Sequence, residues 1–164
     1  MELEDLKELL IKCWMTHDGM WFYHCQKECG MIKTNKINKA AIKSLASIEI
    51  KRIQRAFKIE KIRNFNELKN LFDNAMGLFK ADFMGFSYNF PERNHLHCEI
   101  QKCWAYDGIK KLGVIEQYEC GIFDRIEGWF ESLGIKYEVE PIIEGCLMHT
   151  NGQCFRDYFL FFDK

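Results

Sequence analysis

Proline is scarce in this chain, with two in 164 residues, and long apolar runs are missing altogether. The longest uninterrupted ones, Met20 to Tyr23 and Tyr158 to Phe162, fall far short of the ~20 residues a membrane span requires. No membrane association through a spanning helix is expected. The opening Met1-Glu2-Leu3-Glu4-Asp5-Leu6-Lys7 is acidic where a secretory signal is basic, so the expected location is the cytoplasm. Net charge is also nearly absent, at −1. No C-x-x-C, G-x-x-x-x-G-K-S/T, H-E-x-x-H or G-x-S-x-G occurs, and no G-x-G-x-x-G follows a strand. Thioredoxin-like exchange, nucleotide hydrolysis, zincin proteolysis and Rossmann redox chemistry lose their usual support.

What is present is a hydrophobic fraction of 48%, fourteen phenylalanines and eight cysteines. A chain of this length makes one domain and buries roughly 70% of its unfolded surface. In a reducing cytosol the thiols stay free, as buried small hydrophobes, metal ligands or reactive groups.

The apolar spacing divides the chain into a mainly helical part, residues 1–80, and a part with strands and two short helices, residues 81–164. Leu3 to Cys29 reads as one helix with Leu6, Leu10, Cys13, Trp14, His17, Trp21 and His24 on one stripe and Gly30 stopping it. Gly19 in its middle marks a place where another element packs closely or the helix is irregular. Thr34 and Asn35 are caps for a second helix to Phe57, and Asn64 with Glu67 opens a third. The period then becomes two: Phe86, Tyr88 and Phe90, a turn at Pro91 to Asn94, then Leu96, Cys98 and Ile100, which is a β-hairpin. Helical spacing returns at Trp104 to Leu112 and at Cys120 to Leu133. Ile135 to Val139 is a strand that Pro141 places at a sheet edge or strand end, and Thr150-Asn151-Gly152-Gln153 carries a hairpin signal. The expected fold is α+β, with N-terminal helices packed on one face of a four- or five-stranded, mainly antiparallel sheet.

Charge is uneven beneath the near-zero total. Residues 33–63 carry ten Lys or Arg and two Glu, a net +8 that leaves −9 elsewhere. Such a stretch is either a solvated helix face or a nucleic-acid surface. The overall acidic pI and the lack of an aromatic-interleaved basic motif favour the first.

Three places could carry chemistry. Trp14-x-x-His17-Asp18-x-x-Trp21-Phe22 is an aromatic wall with one polar group in it, either a satisfied core histidine or one side of a small-molecule pocket with Trp14 and Trp21 against the ligand. A two-residue turn at Asn151-Gly152 would set His149 opposite Cys154, with Cβ atoms ~4.5–5.5 Å apart. That spacing suits two ligands of one zinc or a Cys-His nucleophile and base, and suits equally two ordinary strand residues. Cys120, at the start of its predicted helix, gains from the helix dipole a lowered thiol pKa as nucleophile or ligand, or simply packs there. Cys103 sits similarly, so Cys103, Cys120, His149 and Cys154 form the candidate metal set, for zinc or iron, while Cys13, Cys25, Cys29, Cys98 and Cys146 need only packing to explain them.

The segment Cys13-Trp14-Met15-Thr16-His17-Asp18-Gly19-Met20-Trp21-Phe22 resembles the opening of an uncharacterised bacterial and archaeal family with a Trp-x2-His-Asp-x2-Trp-Phe signature. Lys102-Cys103, Gly113, Cys120-x3-Asp124 and Gly152-x-Cys154-Phe155 resemble the spaced cysteines of aminothiazoline-carboxylate hydrolase-like proteins, with Trp104 where that pattern has proline. The resemblance implies a ring-opening hydrolase acting on a cyclic C–N bond, with Cys120, His17 and Asp18 as catalytic candidates. The late cysteine pair is also similar to 4-vinyl-reductase-like domains, which implies a non-catalytic small-molecule-binding module. A homo-oligomer is compatible with either.

Overall fold

Acidic residues favour the start of a helix because they face its unpaired N–H groups, and Glu4 and Asp5 lie in the first turn of α1, Leu3–Ala56. The computed structural model describes residues 1–162; residues 163–164 of the single domain expected over 1–164 lie outside the described residues. α1 is two helices joined at one residue. Gly30 has φ 74° and ψ 166°, a conformation essentially open only to glycine, and the two limbs fold back so that Trp14 and Cys25 share a groove with Leu45 and Thr34. The expected stop at Gly30 is therefore a hairpin bend, with helix resuming at once at Met31. The expected caps have other work. Thr34 Oγ1 donates to the Gly30 carbonyl at 2.9 Å. Asn35 Nδ2 donates to the Gln117 carbonyl at 2.7 Å, and its Oδ1 accepts from Glu119 N at 3.3 Å, so this buried amide clamps a distant loop.

The face the first limb turns inward also differs from the expected stripe. Ile11 is buried and Met15, Gly19 and Phe22 are partly buried, whereas Leu10, Cys13, His17, Trp21 and His24 are exposed. The limb has apolar residues on two sides, and the contact at Gly19 selects between them. The Trp104 ring lies so close that a Cβ on Gly19 would stand 2.5 Å from Cη2. The close approach expected at Gly19 is thus supplied by Trp104.

α2, Phe65–Phe79, begins as its cap requires, Asn64 Oδ1 accepting from Glu67 N at 3.1 Å. The strands are β1 (Phe86–Asn89), β2 (His95–Ile100), β3 (Lys136–Glu140) and β4 (Phe155–Phe161), with α3 (Trp104–Lys111), α4 (Asp124–Leu133) and α5 (Leu147–Asn151) between them. The sheet order is β1-β2-β4-β3 with every neighbour antiparallel; Tyr88 pairs with Cys98, Cys98 with Arg156 and Val139 with Tyr158. The fold is α+β with a four-stranded sheet, as expected, and β3 is an edge strand. Alternate residues of β2 and β4 are buried, among them Leu96, Cys98, Tyr158 and Leu160. They pack into one cluster with Ile50 of α1, Phe72 of α2 and Trp129 and Phe130 of α4.

The Asn151-Gly152 turn is a correction. Residues Leu147–Asn151 form a helix, and Gly152, at φ 70°, is its left-handed C-cap. A type I′ hairpin and a helix C-cap both place glycine at positive φ, and here the helix wins because Cys146 O takes the N–H groups of His149 and Thr150 at 3.0 and 3.1 Å.

Candidate metal centre

Two backbone hydrogen bonds bring four cysteines into two pairs. Ile100 N donates to Cys154 O at 2.8 Å, tying the start of β4 to the end of β2, from which the chain runs on to Cys103. Cys120 N donates to Gly145 O at 3.1 Å, setting Cys120 beside Cys146. Cys103 and Cys146 are the N-cap residues of α3 and α5. Tyr118 lies among them: its ring is buried with Cys146 and Cys120 packs against it, and burial first, then the nearby Cys120, Cys103 and Cys146, raises its hydroxyl well above the ordinary tyrosine value.

Burial dominates the electrostatics of these thiols. Burial pushes Cys120 up to about 11, and the neighbouring Cys103 and Cys146 raise it further against a lowering hydrogen bond from Ile122 N. Burial, then Cys120 and Cys103, pushes Cys154 up to about 12. Cys103 is raised mainly by burial, while Tyr106 N donates to its Sγ at 3.4 Å. N–H groups aimed at sulfur stabilise a thiolate, as they do any anion. The buried Arg156 guanidinium lowers both Cys120 and Cys154, the charge nearest to compensating a thiolate there.

This arrangement alters the expected set in two respects. Cys120 is four residues short of α4, which starts at Asp124, so no helix N-terminus depresses its pKa. Its segment is held instead by Gly121, packed so tightly that a Cβ would lie 2.8 Å from Ile42 Cδ1. His149 lies within α5 rather than across a hairpin from Cys154, and its Nε2 meets Glu116 Oε1 at 2.9 Å. The cysteine beside Cys120 is Cys146, through the bond to Gly145 O. Sequence reasoning left Cys146 among the packing cysteines because nothing local marks it; the only available signal was its position six residues before Gly152.

His17 and Asp18 are exposed and pair with each other, Nδ1 to Oδ1 at 3.8 Å. Asp18 lines a groove of ≈ 330 Å³ between the limbs of α1 together with Trp14 and Trp21, a lining that contains none of Cys103, Cys120, Cys146 and Cys154. The catalytic trio Cys120, His17 and Asp18 is therefore not drawn together. A second polar cluster lies on the outer face of the sheet: Asp157 Oδ1 meets His95 Nε2 at 2.7 Å and His97 Nδ1 at 2.8 Å. The imidazoles stack on Phe159 and Phe155, with ring centroids 4.7 and 6.0 Å apart. Burial would raise Asp157, but the two imidazoles outweigh it and hold the carboxyl below its ordinary value. The alternation of His95 and His97 on β2 was the signal that could have found it.

Residues 2–121 match the model of a family of unknown function, DUF6125. The chain belongs to that family. No curated protein and no solved structure matches it. The DUF6125 span takes in α1, α2, β1, β2 and α3 with Cys103 and Cys120, while β3, α5 and β4 with Cys146 and Cys154 lie beyond it. Among the described residues no helix is long and apolar enough to cross a membrane.

Proposed function

We propose that this protein binds a soft metal ion, zinc before iron, through Cys103, Cys120, Cys146 and Cys154. The observation that carries the reading is that three buried thiols and the half-buried Cys120 come from four separate segments, which two backbone hydrogen bonds tie together in pairs. Thiolate sulfur selects zinc, copper(I) or iron–sulfur chemistry. As the chain stands, among the described residues no three His, Cys, Asp or Glu side chains are arranged to hold one ion. Binding therefore needs the Sγ atoms to rotate inward to the ~2.3 Å Zn–S distance. The N–H of Tyr106 would remain as a hydrogen bond to the Cys103 sulfur, the outer layer that orients metal ligands.

Four sulfur ligands fill a tetrahedral zinc and leave no position for water or substrate, the pattern of structural sites rather than hydrolytic ones. The centre's role is then to fasten α3, the Cys120 loop, α5 and β4 together.

Elemental analysis of untagged protein, reconstituted with zinc under reducing, anaerobic conditions, tests the reading. The expected result is one metal per chain, lost in Cys120→Ser and Cys146→Ser and retained in His149→Ala. Substoichiometric metal in the parent chain, or loss on His149→Ala with retention in Cys146→Ser, overturns it.

A further inference from the structure

The two limbs of α1 leave an apolar stripe facing away from the body of the protein. Leu10 and Trp21 of the first limb are 59% and 63% exposed, and Ile37 and Ile48 of the second are 49% and 53% exposed. Trp14 and Leu45 line the ≈ 330 Å³ groove between them. From Leu10 to Trp21 the stripe runs about 17 Å along the helix, and it is two helices wide. Those dimensions suit another pair of helices better than a metabolite.

The limbs also differ in sign. Residues 2–29 carry six Asp or Glu against three Lys, a net −3, and residues 31–56 carry seven Lys or Arg against Glu49, a net +6. A polyanion would meet repulsion from the first limb and an acidic helix repulsion from the same source. A second copy meets neither, because a two-fold axis that lays the first limb on the partner's second limb necessarily lays the second on the partner's first.

We propose that this face is a homodimer interface, a four-helix bundle built from two α1 hairpins with Leu10, Trp21, Ile37 and Ile48 at its centre and the charged flanks of opposite sign set against each other. The apolar positions recur at helical spacing on both limbs, as bundle packing requires, and the exposed Trp21 is the residue type that anchors such interfaces. The proposal is independent of the metal centre, which lies on other elements.

Sedimentation velocity of the full chain at increasing concentration tests it. The expected result is a species of twice 19.6 kDa, with Trp21→Glu and Ile37→Glu each weakening self-association at least about 30-fold while the far-ultraviolet circular dichroism is unchanged. Both side chains are exposed in the single chain, so neither change disturbs its core. A chain that sediments as a monomer throughout overturns the proposal, as does a dimer that survives the Trp21→Glu, Ile37→Glu double variant. A monomer that carries a small molecule quenching tryptophan fluorescence overturns it in favour of a ligand groove.

Discussion

Glu49 shows how little a residue's type says about its task. Counted along the sequence it is one of two acids in a basic stretch; in the fold it is buried, accepting from Arg125 Nε at 2.8 Å and Trp129 Nε1 at 2.9 Å. The Arg125 guanidinium lies against three aromatic rings, 4.4 Å from Phe79, 5.0 Å from Trp14 and 5.7 Å from Trp129. One ion pair thus links both limbs of α1 to α2 and α4. Its geometry serves both partners, and removing the charge from one leaves the other without compensation in a poorly solvated place. Glu49→Gln is expected to lower unfolding free energy by about 2–3 kcal/mol, the lower end applying because Arg125 keeps a fifth of its side chain exposed. Urea denaturation checks this; a loss below about 1 kcal/mol, the level of a surface pair, would show that the pair only decorates the packing.

At the scale of elements, the hairpin in α1 depends on a single backbone conformation. A methyl group at Gly30 would meet open space, so substitution there strains the backbone and nothing else. Gly30→Ala should cost about 1–3 kcal/mol and lower the denaturation midpoint without altering core packing; an unchanged midpoint would mean that the bend has another solution. Element boundaries were legible wherever the apolar period was unambiguous. Asn64 with Glu67 marked the start of α2, and the alternation around Tyr88 and Leu96 marked β1 and β2. Two of the failures were at glycines, and a third was the start of α4, at Asp124 rather than Cys120. Gly30 was read as an end because a stop and a reversal use the same residue, and Gly152 was read as a hairpin because its left-handed conformation serves a helix cap as well. At Gly30 the second limb is tied down by groups far along the chain, such as the Gln117 carbonyl bound by Asn35, whereas at Gly152 the nearby Cys146 carbonyl decides. The candidate site was legible in three of its four thiols, since Cys103, Cys120 and Cys154 stand near predicted element ends. Cys146 was not, because the loop that carries it gains its position from the bond between Cys120 N and Gly145 O.

For the whole molecule, the thiols set a pH dependence. An unfolded thiol ionises near ~8.5, whereas folding raises Cys120 to about 11 and Cys154 to about 12. The folded chain holds these protons more tightly, so their contribution is complete below the unfolded value and is lost as pH rises through the folded values. Without metal, the thermal midpoint should fall as pH is taken from 9 toward 11, and a flat profile there would contradict the burial of these groups. Zinc reverses the competition, because the ligands must lose their protons to bind; metal should be released as pH falls, with the midpoint of the loaded protein falling in step.

The position of β4 has a consequence for the order in which the molecule can be made. Among the described residues it is the strand furthest along the sequence, and it lies inside the sheet, between β2 and β3. On a ribosome, the α1 hairpin and the β1–β2 hairpin can form from contacts near in sequence, but β3 has no partner until residues 155–161 emerge. Non-local pairing of this kind is slow, and strand edges left waiting for it invite association with other chains. β4 therefore goes in as a keystone, and any chaperone that meets the chain before then would find the open edge of β2 and an unpaired β3 on either side of the gap that β4 will fill.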